Sequence, residues 1–395
     1  VDAPATEAVF FDFLDQHGPF DVVHFNNLEG LPAGVLRLAD RCPGTRGILS
    51  LHNYYPLCPQ VNLWQRERAH CTDFEGGTAC ATCLLVPPAP RAGRMAAGLA
   101  YRLKSAGLEP GSRRYDAIFA LVLGLGRRAL CLVRASMPAR QPAPVVTASA
   151  SAPATASPFA ARRKAMVETI NQGCDVVLCV SDAVRDIAVL HGIEPDIAKS
   201  CYIGTTQAAA WDVTAPRPVG AGPLTLAYLG YMRRDKGFYF LLDALESAPD
   251  ALLARLRLVV AARAGDAPTM ARLRALARRL AALDWHDGYT HAGLDALLEG
   301  VDVGLVPPLW ADNLPQVAIE MHSRHIPLLC SDMGGAQELS GCAPMTFAAG
   351  DARAFQDRLA ALVAGEIDMD AYWRNAQAPV TMGQHMAELE RHYRR

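Results

Sequence analysis

The chain has 395 residues, 51% hydrophobic and 20% charged, which supplies real cores and, at about 100–200 residues per domain, two domains. Lys and Arg number 38 against 40 Asp and Glu, a net charge of −2, and this excludes a protein whose main task is coating nucleic acid. No apolar run approaches the roughly 18 residues of a membrane span. Eleven cysteines spread through so large a chain read as thiols of a reducing, cytoplasmic compartment.

Residues 7–16 read as a helix and 21–25 as a short buried strand that ends in Asn26 and Asn27. Residues 31–38 read as a helix and 47–52 as a second strand. Strand, helix, strand with short connections implies a parallel sheet. Polar residues just past the C-terminal ends of such strands face the ligand crevice, which singles out His24, Asn26, His52 and Asn53.

Residues 91–105 and 113–134 fit helices, and 117–125 is strongly apolar with Arg127, Arg128 and Arg134 behind it. A buried helix is one reading and a peripheral contact with a membrane surface the other. Residues 138–158 are dominated by Pro, Ala, Ser and Thr and read as an extended loop inside the first domain. Beyond it, 159–172 is a helix carrying Arg162, Arg163 and Lys164, and 174–181 a strand, with Ser181 or Asp182 capping the next helix.

A Pro/Gly-rich break at 216–223 marks a domain boundary. The second half then repeats the alternation, with strands at 224–229, 256–261, 286–289, 303–306 and 327–331. Helices fall at 237–245, 267–282, 294–299 and 316–323. The expected architecture is α/β, with two doubly wound domains over 1–215 and 223–375 and a ligand cleft between them. A helix in 376–395 is expected to pack back toward the first domain.

Two constellations carry chemistry. Asp312 and Glu320 stand eight apart with Pro315 between them, so Asp312 falls in a loop and Glu320 inside the following helix. One carboxylate can then touch a sugar while the other grips a pair of ribose hydroxyls. Gly334 and Gly335 precede a further helix and suit backbone amides presented to phosphate. The second constellation is the basic loop from Leu229 to Phe238, with Arg233, Arg234 and Lys236. Lys236 at a helix start is electrostatically disfavoured, a conflict that a bound anion resolves.

In order and spacing these segments resemble the retaining, nucleotide-sugar-dependent glycosyltransferases of family 4. The matching stretches are Phe20–His24, Ser50–Tyr55, Val180-Ser181, Gly230 to Gly237, Asp312 with Glu320, and Gly334-Gly335 with Glu338. The resemblance implies the GT-B fold, two facing Rossmann-like domains with a cleft between them. It implies that Glu320 binds the nucleotide ribose, Asp312 the donor sugar and Lys236 the diphosphate, with His52 beside the reaction centre. Arg233, Arg234, Gly334, Gly335, Asn313 and Leu314 complete the implied donor site, and His24, Asn26 and Asn53 the acceptor side.

The implied activity is transfer of a sugar, with retained configuration and no required cofactor, from a nucleoside-diphosphate sugar to a saccharide or lipid-linked acceptor. The implied setting is cell-envelope or exopolysaccharide assembly, in the cytoplasm or at the inner face of the membrane. Asp312 stands where the family usually has Glu, Tyr231 where it has Arg, His325 where it has Gly and Asn53 where it has Asp. A weakly active or inactive relative acting as a binding or scaffold subunit is therefore the alternative. Family members also begin with a strand and a glycine-rich turn ahead of the Asp21–His24 strand, so the expectation is a first domain lacking its start, within a longer polypeptide.

Cys58, Cys71, Cys80 and Cys83 lie in one loop, the last two as Cys-x-x-Cys, with His70 nearby. Structural zinc, free thiols and disulfides are the three readings.

Overall fold

The computed structural model describes residues 3–72, 78–83, 90–108, 112–135, 158–218 and 222–394. Of the expected loop at 138–158, only Pro158 lies within them. The chain divides into two compact units, Val1–Cys80 with Pro158–Arg395, and Ala81–Ser157.

The larger unit carries two parallel sheets. In its N-terminal lobe, β1 (Val22–Phe25), β2 (Arg46–Leu51), β5 (Val176–Cys179) and β6 (Ala198–Ser200) lie in the order β1-β2-β5-β6. A small antiparallel hairpin, β3 (Trp64–Gln65) with β4 (Ala69–His70), branches from the loop after β2. The C-terminal lobe holds β7 (Leu224–Gly230), β8 (Leu256–Ala262), β9 (Ala282–His286), β10 (Val303–Val306), β11 (Leu328–Ser331) and β12 (Thr346–Phe347). Their order, β12-β11-β10-β7-β8-β9, is the doubly wound Rossmann arrangement, whose order reverses between β7 and β10. The strands are short apolar runs because both faces of the sheet are covered. Leu226, Tyr228 and Leu305 pack into one cluster, and Ala227, Leu229 and Val306 into the other.

Four sequence expectations are corrected. Residues 31–38 form a 3-10 turn, Ala33–Leu36, and a single α-helical turn, Leu38–Arg41, instead of one helix. Arg37, with ψ 53, breaks the run between them. The helix expected over 267–282 ends at Leu276, and the strand expected at 286–289 is β9, which pairs residues 282–286 with β8. The alanine-rich run from 275 favours helix by propensity, but pairing with a buried strand wins. That shift leaves Gly288, Tyr289 and His291 in the loop beyond a strand end. Residues 335–339, expected to open a helix, form a 3-10 turn.

The helix Met382–Tyr393 opens with a capping box between Thr381 and Gln384. It lies on the N-terminal sheet: Leu389 joins Ile48, Val176, Leu178 and Cys201 in one cluster. Tyr393 Oη is 2.8 Å from His24 Nδ1, and Arg46 Nε donates to the His392 carbonyl at 2.8 Å.

The smaller unit contains two helices, Pro90–Ser105 and Arg113–Ala135. The Ser112 hydroxyl caps the second by accepting from the Tyr115 amide. Within that helix the buried Tyr115 stacks on Phe119 with ring centroids 5.5 Å apart.

Candidate active site

A cleft of about 580 Å³ opens at the C-terminal ends of β7 and β10, where the strand order reverses. Its walls include Gly230, Tyr231, Lys236, Arg263, Tyr289, His291, Asp312 and Glu320. Lys236, Asp312 and Glu320, far apart in sequence, are thus brought to one cavity.

Glycine geometry makes this arrangement achievable. Gly237 has φ 75, and a Cβ there would stand 1.7 Å from the Pro307 carbonyl oxygen. Only glycine lets the basic loop turn this close to the end of β10 before the helix Phe238–Glu246 begins. Gly334 has φ 82, and its Cβ would fall 1.8 Å from the Asp312 carbonyl oxygen. The two glycines set the backbone positions of the Lys236 and Asp312 segments.

Lys236 Nζ donates to Asp312 Oδ2 at 2.6 Å and stands 5.2 Å from the centre of the Trp310 ring. Asp312 is only 6% exposed. Burial pushes its carboxyl above the usual range, and the neighbouring Lys236 ammonium opposes that shift. Glu320, 3% exposed on the helix Gln316–His322, has both oxygens engaged. The Tyr289 hydroxyl donates to Oε2 at 2.6 Å, and His291 Nε2 lies 3.2 Å from Oε1. Burial first, then the Glu320 carboxylate, raises the Tyr289 phenol well above its ordinary value.

Several expected site residues lie elsewhere. Arg233 is held by Asp235 through two bonds of 2.9 and 2.7 Å, and Arg234 lies over the Tyr239 ring. Both line a separate hollow with Asn62, Trp64 and Glu67. The Gly335 amide, expected to face phosphate, donates to the Asp312 carbonyl at 3.0 Å, so it fixes the Asp312 loop. Neither it nor Gly334, Asn313 or Leu314 lines the cleft. The Asn313 carbonyl accepts from Ser181 Oγ at 2.7 Å, while its side-chain amide is buried without a hydrogen-bond partner among the described residues.

On the acceptor side, His24 has one ring nitrogen 2.8 Å from Tyr393 Oη and the other 2.8 Å from Ser50 Oγ, so it is a structural post. Asn53 Oδ1 accepts from the Tyr55 amide and shapes the turn after β2. Asn26 is exposed in the bend after β1. His52 lies past the end of β2, outside the cleft lining, where partial desolvation of its ring, then nearby His385, lowers its pKa.

The expected zinc ligands Cys58, Cys71, Cys80 and Cys83 fall in a loop of which residues 73–77 lie outside the described ones. Among the described residues no group of three or more His, Cys, Asp or Glu is placed to hold a metal ion, and the cysteines form no disulfide. Cys58, Cys71 and Cys80 instead lie within electrostatic reach of the buried Arg163 guanidinium, which bonds Cys71 and the Leu57 carbonyl.

Sequence reasoning missed Arg263, Tyr289 and His291. Arg263 follows the end of β8, and Tyr289 and His291 follow the end of β9, where the misplaced boundary concealed the signal. It also missed the seam between the lobes. There the Glu338 carboxylate accepts from the Asp182 and Ala183 amides at 3.0 and 2.7 Å and from the Tyr202 hydroxyl at 2.5 Å.

Residues 223–365 match the family described as Glycosyl transferases group 1. Among solved structures, Anabaena Alr3699/HepE in complex with UDP is similar over 98% of this chain and 81% of that one, with a TM-score of 0.56 and 12% identity. The same protein with UDP-glucose gives a TM-score of 0.54 at 12% identity, with the same coverage of both chains. A sequence search of curated proteins finds no significant match. The chain therefore has the GT-B fold, and residues 223–365 of its C-terminal lobe are similar to the glycosyl transferases group 1 family.

Proposed function

We propose that the chain transfers a sugar from a nucleoside-diphosphate sugar to a saccharide or lipid-linked acceptor, with retention of configuration, in the assembly of cell-envelope or exopolysaccharide material. The convergence of Lys236, Asp312 and Glu320 on one cleft at the strand-order reversal carries this reading. UDP and UDP-glucose in the similar solved structures make UDP-glucose the first donor to test.

In this proposal Glu320 accepts from the ribose hydroxyls, oriented by Tyr289 and His291. Lys236 turns from Asp312 to the diphosphate, and Arg263 supplies the second positive charge in place of the missing arginine at position 231. Asp312, released from the lysine, accepts from the donor sugar. The bond from the anomeric carbon to the phosphate oxygen breaks, and the departing diphosphate takes the electron pair, stabilised by the two cations. The acceptor hydroxyl attacks the face the leaving group vacates, and its proton passes to a diphosphate oxygen.

A binding-only relative is the second reading, favoured by the engagement of both carboxylates, Asp312 by Lys236 and Glu320 by Tyr289. Incubation with UDP-glucose separates the two. Release of UDP that disappears in Lys236→Ala and Glu320→Ala supports the transferase. Binding of the nucleotide with no turnover for any donor and acceptor tried leaves the binding-only reading.

A further inference from the structure

Charge is segregated between the two units. Residues 81–157 carry ten Lys and Arg against two Asp and Glu, which leaves 28 against 38 for the rest of the chain. The smaller unit is therefore +8 and the larger −10, although the whole is near neutral.

The smaller unit also shows an uncovered apolar face. On the helix Arg113–Ala135, Ile118, Leu121 and Val122 recur at i, i+3 and i+4 and are exposed, Leu121 by 63%. At about 100° per residue, the stripe adjoins the arc of Tyr115 and Phe119 and widens the helix's apolar surface. Exposed Arg114 lies one turn before Ile118, in the middle of the stripe. The companion helix Pro90–Ser105 exposes Met95 by 76% and Tyr101 by 74%, beside exposed Arg102 and Lys104. No described helix is long and apolar enough to cross a membrane.

We infer that this helical pair is a docking surface for an anionic lipid bilayer, lying in the headgroup layer with Ile118, Leu121 and Val122 inserted and the arginines on lipid phosphates. Exposed apolar side chains beside exposed cations, Arg114 on one helix and Arg102 and Lys104 on the other, fit that solvent boundary. The net positive charge of the unit matches an anionic surface, while the acidic larger unit is repelled by it. The inference is independent of the donor chemistry, since it rests on the helices of the smaller unit alone.

Sedimentation of the full chain with vesicles tests it. The protein is expected to pellet with vesicles containing phosphatidylglycerol, to stay in solution with phosphatidylcholine alone, and to be released by high salt. Leu121→Asp with Val122→Asp is expected to abolish pelleting while nucleotide binding stays unchanged. Arg102→Ala, Lys104→Ala and Arg114→Ala should each weaken it about fivefold, and these surface changes leave the helices intact. Failure to pellet with phosphatidylglycerol, equal pelleting with both lipids, or pelleting indifferent to the Leu121 and Val122 changes overturns the proposal. So does a dimer in sedimentation velocity that these two substitutions dissociate, because a second copy then covers the face.

Discussion

Lys236 and Asp312 form an ion pair of 2.6 Å in which the carboxylate is almost entirely buried. The two residues come from the loops after β7 and β10, so one bond ties the two halves of the Rossmann sheet across their reversal point. Removing one partner of a buried pair strands the other charge and costs about 3–5 kcal/mol. Lys236→Ala should lower stability by about 3 kcal/mol in urea unfolding, and adding Asp312→Asn should return much of it. Independent, additive losses from the two substitutions would show that the pair is not coupled.

The Tyr289 hydroxyl holds Glu320 in place, and a hydrogen bond to a charged group contributes about 1.5–3 kcal/mol. Tyr289→Phe should therefore raise KM for the donor by about tenfold or more, with kcat little changed, because the ribose contact is the same in ground and transition states. A fall in kcat at constant KM would place Tyr289 in the chemical step instead.

Gly237→Ala and Gly334→Ala each set a methyl group within 2 Å of a carbonyl oxygen at positive φ. Each should destabilise the C-terminal lobe by more than about 2 kcal/mol, visible as a lower urea midpoint. Gly300, also at positive φ but with open space around it, is the control. Gly300→Ala should cost only about 1 kcal/mol.

The His322 ring is buried among Trp211, Tyr372 and Trp373, with Nε2 donating to the Gln377 carbonyl at 3.0 Å. Burial pushes it down to about 4 from 6.5. The folded state therefore resists a proton that the unfolded chain accepts, and stability is complete above pH 6.5 and falls as pH drops toward 4. The loss reaches about 3 kcal/mol for this ring. His322→Gln should flatten that part of the pH profile in urea unfolding. An unchanged slope between pH 6.5 and 4 would assign the titration to other groups.

The fold was legible because its signals are local. Short apolar runs at 224–229, 256–261 and 303–306, broken by glycine and followed by helix starts, read directly as a doubly wound sheet. Lys236, Asp312 and Glu320 were legible because each sits at a fixed offset from a strand end or a proline. The partners were not. That the Gly335 amide would fix the Asp312 loop and that Tyr289 would reach Glu320 across 31 residues both depend on tertiary distance, while Arg233 turns to Asp235 only two residues on. The β9 boundary failed for a related reason, since the alanines before it carry no strand signal until β8 lies beside them.

The central claim is that the cleft of Lys236 and Glu320 holds a nucleoside-diphosphate sugar. Calorimetric titration of UDP and UDP-glucose into the full chain, beside Glu320→Ala and Lys236→Ala, tests it most directly. Both ligands should bind the native chain, with affinity lost by about tenfold or more in each variant. Binding of equal strength in all three proteins, or none to the native chain across a panel of nucleoside diphosphates, would contradict it.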